Sequence, residues 1–433
     1  MPDLDPQRQR DFAVEVVQSL RDAGFEAYWA GGCVRDTLIG RRPKDYDVAT
    51  NATPPAIRTV FRHRKTLEIG EAFGVVAVVG PKSAGTVEVT TFRHDAPYSD
   101  GRHPDAVTFS NAQDDAQRRD FTINGLFYDP FGSDEDRRVI DYVGGVEDLA
   151  RRMVRAIGDP RARFAEDKLR LLRAVRFAAT FAFDLDGATE AAMRELAGQV
   201  TTVSPERIAQ EMRTLLVHPG RARGVELLRQ TGLLAAVLPE AAVLAEAGWR
   251  RTLAVLGNLR EASFPLALAV ILSALADAAG LAHGAAAKNA RGGVAEQVGR
   301  RWKLSNDERE RARWLVEHRT ALAEARILPW SQLQPLVIRD GFEELVALHE
   351  ADAAAAGRNL DDVVHCRALM RRPHDQLDPL PLVTGDDLIR HGVPQGKIYK
   401  EILDRVRAAQ LDDEIATRLE ALALVDRLRA EGA

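Results

Sequence analysis

Residues 31–47 read Gly31-Gly-Cys-Val-Arg-Asp-Thr-Leu-Ile-Gly-Arg-Arg-Pro-Lys-Asp45-Tyr-Asp47, and this stretch decides how the fold is interpreted. It ends in two carboxylates set two positions apart. Side chains i and i+2 of an extended segment project to the same side, so Asp45 and Asp47 can grip one hard cation together. Magnesium is typically bound by one or two carboxylates plus the phosphates of a substrate. A solvated acidic turn is the alternative for so short a motif.

The residues that precede the acidic pair favour a role in binding phosphate. Gly31 and Gly32 allow a backbone turn that approaches phosphate oxygens closely. Arg35 follows where its positive charge can meet a triphosphate. The stretch therefore indicates a metal-dependent phosphoryl-transfer site.

Length and composition indicate a multidomain, largely helical protein. A chain of 433 residues exceeds the usual size of one hydrophobic core, so we expect two to four domains. Hydrophobic residues make up 45% and aromatic residues only 6%, which with abundant Ala, Leu and Arg favours helix. No stretch reaches about 18 uncharged apolar residues, so we expect no membrane association and a cytoplasmic location. Cys33 and Cys366 lie far apart, which argues against a disulfide.

The net charge of −5 argues against a protein whose whole surface coats nucleic acid, but it leaves room for a local basic groove. Arginine is concentrated between residues 151 and 229. Solvated helix faces with internal ion pairs are the alternative explanation for that concentration.

Hydrophobic patterns predict a sheet in the first third of the chain. We predict strands over residues 45–49, 75–79 and 87–92. In the last of these the valines face one way and Glu88 the other, which allows Glu88 to join the acidic pair or simply to face solvent. The polar residues 93–117 predict a mobile loop.

Three converging carboxylates would suit two-metal phosphoryl transfer. In that chemistry one cation aligns an attacking hydroxyl and a second, roughly 3.5 to 4 Å away, stabilises the leaving pyrophosphate. We assign Asp45, Asp47 and Glu88 as the candidate catalytic residues, with Asp45 and Asp47 as metal ligands.

The segment Arg118-Arg-Asp-Phe-Thr-Ile-Asn124 carries a second set of candidates. Arg119 can neutralise phosphate charge, and Asp120 and Asn124 offer acceptors and donors for a ribose hydroxyl. A helix cap with charged flanks is the alternative.

The third set lies within residues 163–181, which we predict to be one continuous helix because the run lacks Gly and Pro. Asp167, Arg170, Arg173 and Arg176 recur every third residue and would form one stripe. Cytosine and adenine both present an amino donor beside a ring-nitrogen acceptor, whereas uracil and guanine present a carbonyl beside a ring N–H. A carboxylate and a guanidinium one turn apart would therefore accept C and A and reject U and G. A surface ladder of ion pairs is the alternative.

Seven segments in order resemble the class II tRNA nucleotidyltransferase and bacterial poly(A) polymerase family, within the polymerase-beta-like nucleotidyltransferases. The segments are GGCVRD, DYD, VEVTTFR, RRDFTIN, DYVGG, EDKLRLLRAVRF and SPERIAQE. The resemblance implies an α+β head with a mixed five-stranded sheet, followed by an all-α neck, body and tail. It implies Mg²⁺ at Asp45 and Asp47. The residues that it places against ATP or CTP are Gly32, Arg35, Arg119, Asp167, Arg170, Arg173 and Arg176.

Four domains are expected on this basis: a catalytic head over residues 1–145, a neck over 146–235, a body over 236–372 and a tail over 373–433. The neck would bind the base and RNA, and the tail would bind tRNA. We expect the partners to be the 3' end and acceptor arm of tRNA together with ATP and CTP, and the protein to be a monomer or a homodimer.

Two activities compete within the family. Residues 64–74 lack the basic signature expected of the polymerases, which favours addition of C, C and A to tRNA over poly(A) synthesis. Relatives that add only CC or only A remain open, as does a catalytically silent RNA-binding protein. Arg251, Ser273 and Ala274 stand where a histidine-aspartate metal motif of the body would be sought, so we expect no phosphohydrolase activity.

Overall fold

The structure, a computed structural model, describes residues 4–70, 74–95, 107–133, 138–280, 285–393, 396 and 398–431. The chain forms two compact units, Met1–Pro239 and Glu240–Ala433. This division lies close to the expected boundary between neck and body at residue 235. The finer division into four domains stays a prediction.

Eleven strands occur among the described residues, all of them in the first unit. They are β1 (Ala27–Ala30), β2 (Asp47–Thr50), β3 (Thr66–Gly70), β4 (Val75–Val79), β5 (Thr86–Thr91), β6 (Arg93–Asp95), β7 (Val107–Phe109), β8 (Leu126–Tyr128), β9 (Val139–Asp141), β10 (Met153–Val154) and β11 (Asp184–Leu185). The main sheet has the order β3-β4-β5-β2-β1-β8-β9. Only β2 and β5 pair in parallel within it, as far as the described residues show, so the sheet is mixed as expected.

The expected number of five strands is wrong, because the described part of this sheet contains seven. The hairpin of β8 and β9 pairs onto β1, with Trp29 opposite Tyr128, and so lengthens the sheet beyond β1. The strand predicted over residues 75–79 is confirmed, and the one predicted to begin at residue 45 begins instead at Asp47.

Helices lie between the strands of the first unit, and the rest of the described chain is mostly helical. Those of the first unit are α1 (Pro6–Asp22), α2 (Gly32–Leu38), α3 (Pro54–Val60), α4 (Ala112–Gln117), α5 (Gly145–Ala150), α6 (Pro160–Glu166), α7 (Leu169–Phe181), α8 (Gly187–Leu196), α9 (Pro205–Val217), α10 (Arg221–Gln230) and α11 (Leu233–Val237). Small and aromatic side chains of the sheet pack against α4 in a cluster that includes Ala30, Ala49, Phe92, Ala116 and Phe127. This core fixes β1 and β2 beneath the candidate site.

Two sequence expectations fail here. Residues 93–117 are not simply a loop, because β6, β7 and α4 lie within them; residues 96–106 fall outside the described residues. The helix expected over residues 163–181 is interrupted, since α6 ends at Glu166 and α7 begins at Leu169. Asp167 lies in the break in an extended conformation, and its Oδ1 accepts a hydrogen bond from the Leu169 amide at 3.0 Å. Aspartate favours such local capping over continuation of a helix.

The second unit is helical throughout its described residues. Its helices are α12 (Glu246–Asn258), α13 (Phe264–Ala278), α14 (Ala285–Arg301), α15 (Asn306–His318), α16 (Trp330–Val337), α17 (Phe342–Ala355), α18 (Asp361–Leu369), α19 (His374–Leu377), α20 (Gly385–Arg390), α21 (Ile398–Leu411) and α22 (Arg418–Glu431). The last three share a small core around Leu388, Ile402, Val406 and Val425. None of the helices in the described part of the chain is long and apolar enough to cross a bilayer.

Candidate active site

The acidic pair lies at the start of β2, beside the strand that carries the third carboxylate. Asp47 pairs with Glu88 in the parallel register of β2 and β5. Tyr46, between the two aspartates, is buried and packs against Trp29 with tilted rings whose centroids are 4.9 Å apart, whereas Asp45 is exposed. Burial thus alternates across residues 45–47, but Asp45 lies in a bend and only Asp47 is part of β2. On β5, Val87 and Val89 are buried and Glu88 is exposed, as the pattern predicted.

The charges of these carboxylates are not neutralised by side-chain ion pairs. Burial and the nearby charges of Asp45 and Glu88 raise the pKa of Asp47 to about 6, and Arg119 only partly offsets this. None of the three forms an ion pair with any side chain that the structure describes, nor do they form a compact group of metal ligands among those residues. Burial is the main cause of the raised pKa, and the mutual repulsion of the like charges adds to it. Carboxylate oxygens suit a hard divalent cation, and bound charge would relieve the repulsion, so the residues present fit such an ion.

Gly31 and Arg35 hold the turn after β1 against the rest of the site. Gly31 has φ +72°, a left-handed conformation, and a Cβ there would lie 2.7 Å from Arg119 Nη1. Glycine is therefore required for both backbone and space. Gly32 has no such constraint. Arg35 on α2 is buried, donates to Asn124 Oδ1 at 2.6 Å and stacks over Phe181 with its guanidinium carbon 4.4 Å from the ring centroid.

Asp115 on α4 anchors two arginines that line the site. Its Oδ2 accepts from Arg119 at 2.9 Å and its Oδ1 from Arg118 at 2.6 Å. Burial alone would raise the pKa of Asp115, but the two guanidinium groups lower it below its usual value. The fully buried carboxylate therefore stays ionised and fixes both guanidinium groups.

Asp120 and Asn124 lie deep in the site, where Asp120 meets α7. Asp120 Oδ1 accepts from the Phe121 amide and from Asn124 Nδ2, and Oδ2 accepts two hydrogen bonds from Arg173 at 2.8 and 2.6 Å. Burial raises the pKa of Asp120, but the charge of Arg173 and the hydrogen bonds to the carboxylate have the larger combined effect and lower the pKa to about 2. The carboxylate thus already has four donors, so it is placed to orient Arg173 rather than to receive a ribose hydroxyl.

The proposed base-reading pair does not share one helix. Asp167 lies in the break between α6 and α7 and accepts from Arg207 Nη2 at 2.8 Å. Arg170 lies on the first turn of α7 and donates to Glu166 Oε2 at 2.5 Å and to the Arg163 carbonyl at 2.9 Å. The helix break turns Asp167 out of the predicted stripe, yet both residues line the same cleft.

Arg176 completes the arginine row on α7. It donates to Glu211 Oε2 at 2.6 Å, and its guanidinium carbon lies 4.2 Å from the centroid of the Phe177 ring. Burial lowers the pKa of Arg176, and Glu211 opposes that shift. Each arginine of the row therefore has an acidic neighbour that holds it in place.

A cleft of about 470 Å³ brings most of the predicted residues together. Those that line it are Gly31, Gly32, Arg35, Asp47, Arg119, Asp120, Asn124, Asp167, Arg170, Arg173 and Arg176. Asp45 and Glu88 do not line it, although their charges act on Asp47.

Sequence reasoning missed four further lining residues, Arg118, Leu169, Phe177 and Arg207. Arg118 and Arg207 stand inside the RRDFTIN and SPERIAQE segments, so the sequence did contain a signal for them. Leu169 and Phe177 stand inside the EDKLRLLRAVRF segment, but apolar residues on a helix are explained equally well by core packing, so that segment did not mark them as lining residues.

Comparison with known proteins gives two family matches. The model described as "Poly A polymerase head domain" matches residues 27–155, and the model described as "Probable RNA and SrmB- binding site of polymerase A" matches residues 182–244. A CCA-adding enzyme of Geobacillus sp. (strain WCH70) is 32% identical over 428 residues, which cover 95% of each chain. The chain belongs to the CCA-adding enzyme family.

Other members of this family agree with the assignment. A CCA-adding enzyme of Geobacillus stearothermophilus is 41% identical over 222 residues, or 51% of this chain and 53% of that one. The crystal structure of the Bacillus stearothermophilus CCA-adding enzyme in complex with CTP superposes with a TM-score of 0.75 at 30% identity, covering 97% and 98% of the two chains. The Thermotoga maritima CCA-adding enzyme complexed with tRNA, at 20% identity and a TM-score of 0.67 over 100% and 97% of the chains, supports the fold.

The resemblance seen in the sequence is thereby confirmed, as is the fold class of a polymerase-beta-like head followed by helices. The chain is a nucleotidyltransferase of the CCA-adding family.

Proposed function

We propose that this chain adds C, C and A to the 3' end of tRNA from CTP and ATP, without a nucleic-acid template and with release of pyrophosphate. The observation that carries the proposal is the cleft in which Asp47, beside Asp45 and Glu88, faces a wall of arginines. A triphosphate on the arginine wall would present its α-phosphate to the carboxylates. The tRNA 3' hydroxyl would attack there, with pyrophosphate as the leaving group.

We propose Mg²⁺ as the divalent cofactor, with Asp45 and Asp47 as ligands and Glu88 nearby. When bound, the cation supplies charge neutralisation at the phosphates and lowers the pKa of the attacking hydroxyl. The protein contributes positioning, because Asp115 and Asp120 fix Arg119 and Arg173 before substrate arrives. Removal of divalent ions with EDTA should abolish nucleotide addition, and Mg²⁺ should restore it; activity that survives EDTA would contradict this assignment.

We propose that Asp167 and Arg170 select the base, with Arg207 holding Asp167 in place. The carboxylate would accept from the amino group of C or A, and the guanidinium would donate to the adjacent ring nitrogen. Against U or G the carboxylate would face a carbonyl oxygen and the guanidinium would face a ring N–H. Each buried group left unpaired in this way would cost about 1 to 3 kcal/mol.

The test is nucleotide addition to tRNA that ends before CCA, with each radiolabelled nucleotide supplied separately or in pairs. We expect incorporation of CTP and then ATP, and at least about tenfold less UTP and GTP. Asp167→Asn should reduce that discrimination, whereas Asp184→Asn, an exposed carboxylate paired with Arg223, should leave it unchanged. Equal use of UTP and CTP by the unmodified protein would contradict the assignment of Asp167 and Arg170.

Poly(A) synthesis, addition of CC alone or A alone, and a catalytically silent RNA-binding role are the competing functions. Long adenylate tails on generic RNA without use of CTP would establish the first. Nucleotide addition that is unchanged when Asp45 and Asp47 are both replaced by alanine would not come from this site, and it would revive the last.

Recognition of tRNA should depend on backbone shape and charge, because an enzyme that serves every tRNA cannot read its sequence. We therefore expect binding to the 3' end and acceptor arm to weaken steeply with salt. A cytoplasmic location is proposed because its substrates are found there. We propose that the protein is a monomer or a homodimer, and sedimentation analysis of the purified protein distinguishes the two.

A further inference from the structure

The second unit contains a cavity of about 440 Å³ that the nucleotidyltransferase chemistry does not use. It lies among α12, α13 and α17 and has an apolar lining that includes Val255, Val270 and Leu348. This volume falls within the range of small-molecule sites, which are mostly apolar with a few placed polar groups.

The polar groups at this cavity carry an excess of positive charge. Four ion pairs lie there: Arg319 to Asp277 at 2.5 Å, Arg291 to Asp277 at 3.3 Å, Arg251 to Asp352 at 2.8 Å and Arg358 to Asp352 at 2.5 Å. Each carboxylate is thus shared by two guanidinium groups. Arg251, Arg319, Asp277 and Asp352 line the cavity and balance one another, and the two excess positive charges of the cluster belong to Arg291 and Arg358, which pair with the same carboxylates from outside the lining. Arg251 and Arg319 themselves line the cavity. An anion could bind there without displacing either carboxylate from both of its partners.

A buried hydroxyl in the same wall lacks a hydrogen-bond partner. Ser273 on α13 lines the cavity, is only 4% exposed, and its Oγ makes no hydrogen bond within the described residues. Most buried polar atoms in proteins are paired, and one left unpaired costs about 1 to 3 kcal/mol. A ligand oxygen that entered the cavity could satisfy Ser273.

These side chains do not suit a metal ion. Arg251, Ser273 and Ala274 stand where a histidine-aspartate motif would place metal ligands, and guanidinium groups repel cations. Asp277 and Asp352 also line the cavity, but each is already paired with two arginines, so the lining offers guanidinium groups, a hydroxyl and apolar side chains rather than free carboxylates. Guanidinium forks match phosphate oxygens in geometry as well as charge.

We propose that this cavity is a binding site for a small phosphomonoester, separate from the nucleotidyltransferase site. The phosphate group lies between Arg251 and Arg319 with one oxygen toward Ser273, and the compact organic group fills the apolar lining toward Val255, Val270 and Ala274. Inorganic phosphate would leave the apolar lining in contact with water, so it should bind more weakly than the ester.

The probe is phenyl phosphate, titrated calorimetrically into the full-length protein, with inorganic phosphate and phenol as comparison ligands. We expect phenyl phosphate to bind at least tenfold more tightly than inorganic phosphate and phenol not to bind measurably. Arg319→Gln and Arg251→Gln should each weaken phenyl phosphate at least tenfold. Arg250→Gln is the matched control, because Arg250 is adjacent in sequence, exposed and outside the cavity.

A second variant tests the apolar part independently of charge. Ala274→Met places a longer side chain on the partly exposed wall of the cavity, so it should weaken phenyl phosphate but leave inorganic phosphate unchanged. All variants should keep the melting temperature and the nucleotide-addition activity of the parent, because the cavity lies outside the candidate active site.

Three results would overturn the proposal. One is equal affinity for phenyl phosphate in Arg319→Gln, Arg251→Gln and the parent, since binding would then occur elsewhere. Another is loss of that binding in Arg170→Ala alone, which would place phenyl phosphate in the nucleotide cleft. The third is displacement of phenyl phosphate by tRNA with the same dependence on Arg319, which would identify an RNA backbone phosphate as the natural occupant.

Discussion

Asp47 is the residue of the site whose negative charge is most strongly disfavoured by its surroundings. It is half-buried beside Asp45 and Glu88, and its pKa is raised to about 6 because burial and both neighbours oppose its charge. A group held in this way destabilises the empty site and favours the charged ligand that relieves it. Function and stability should therefore respond in opposite directions to its neutralisation.

Asp47→Asn tests this directly. Without added metal the variant should be more stable by about 1 kcal/mol, because neutralisation removes the repulsion behind a shift of roughly two pKa units at a half-buried site. Nucleotide addition with Mg²⁺ should fall at least about a hundredfold, since several kcal/mol of transition-state stabilisation depend on the metal. Urea denaturation and initial rates measure the two effects. Asp22→Asn on α1, an exposed carboxylate, should change neither; loss of stability in Asp47→Asn would contradict the account.

Ionised Asp120 should stabilise the folded protein by an amount that depends on pH. Its pKa is about 2 in the folded state because Arg173 and hydrogen bonds outweigh burial, whereas an unfolded aspartate has a value near 3.9. A depressed folded pKa stabilises the protein above the unfolded value, and that contribution is lost as pH falls from about 4 to about 2. Asp120→Asn should thus cost about 2 kcal/mol at pH 7, measured by urea denaturation. The cost should shrink steadily below pH 4; a difference between the two proteins that is independent of pH would refute this role.

At the scale of single elements, the sequence predicted most of what depends on hydrophobic pattern. The buried run at Val75–Val79 and the alternation around Glu88 both appear as predicted, because burial on one or both faces leaves a direct trace in residue type. The predictions failed where a polar side chain decides the backbone. Asp167 is extended, accepts from the Leu169 amide and breaks the expected helix, and Asn111 caps α4 inside the supposed loop by accepting from the Asp114 amide at 2.9 Å.

The candidate site was predicted better than the helix that carries it. Asp167 and Arg170 line one cleft although the stripe that suggested them does not exist in the expected form. The pairing of each arginine with its own carboxylate could not be read from the sequence. Asp115 is only four residues from Arg119, but it lies in a stretch that was predicted to be a loop. Glu211 is 35 residues from Arg176, and the fold brings these two together.

The turn between β1 and α2 gives a prediction for an element. Gly31→Ala should destabilise the protein by about 1 to 3 kcal/mol, because it combines a left-handed backbone with a Cβ only 2.7 Å from Arg119 Nη1. Displacement of Arg119 should also raise the KM for CTP. Gly24→Ala is the matched control, since Gly24 has φ +86° but open space around it, so only backbone strain should be felt. Equal effects of both variants on KM would show that the contact with Arg119 is unimportant.

For the whole molecule, the site belongs entirely to the first unit, in which the sheet supplies the carboxylates and the following helices supply the arginines. The overall charge of −5 therefore says little about the site, because the arginine row is balanced locally by buried acidic partners. The second unit contributes a separate helical body with its own cavity. The CCA-adding enzyme that is 32% identical to this chain covers 95% of it, so the family match includes both units.

The sequence of the added nucleotides is the most direct test of that activity. Purified protein is incubated with Mg²⁺, CTP and ATP and a tRNA transcript that ends before CCA, and the 3' ends of the products are sequenced. The account predicts that extension stops after C, C and A, with no such product from the variant in which Asp45 and Asp47 are both replaced by asparagine. Tails of adenylate alone, or products that end at CC with ATP present, would contradict it.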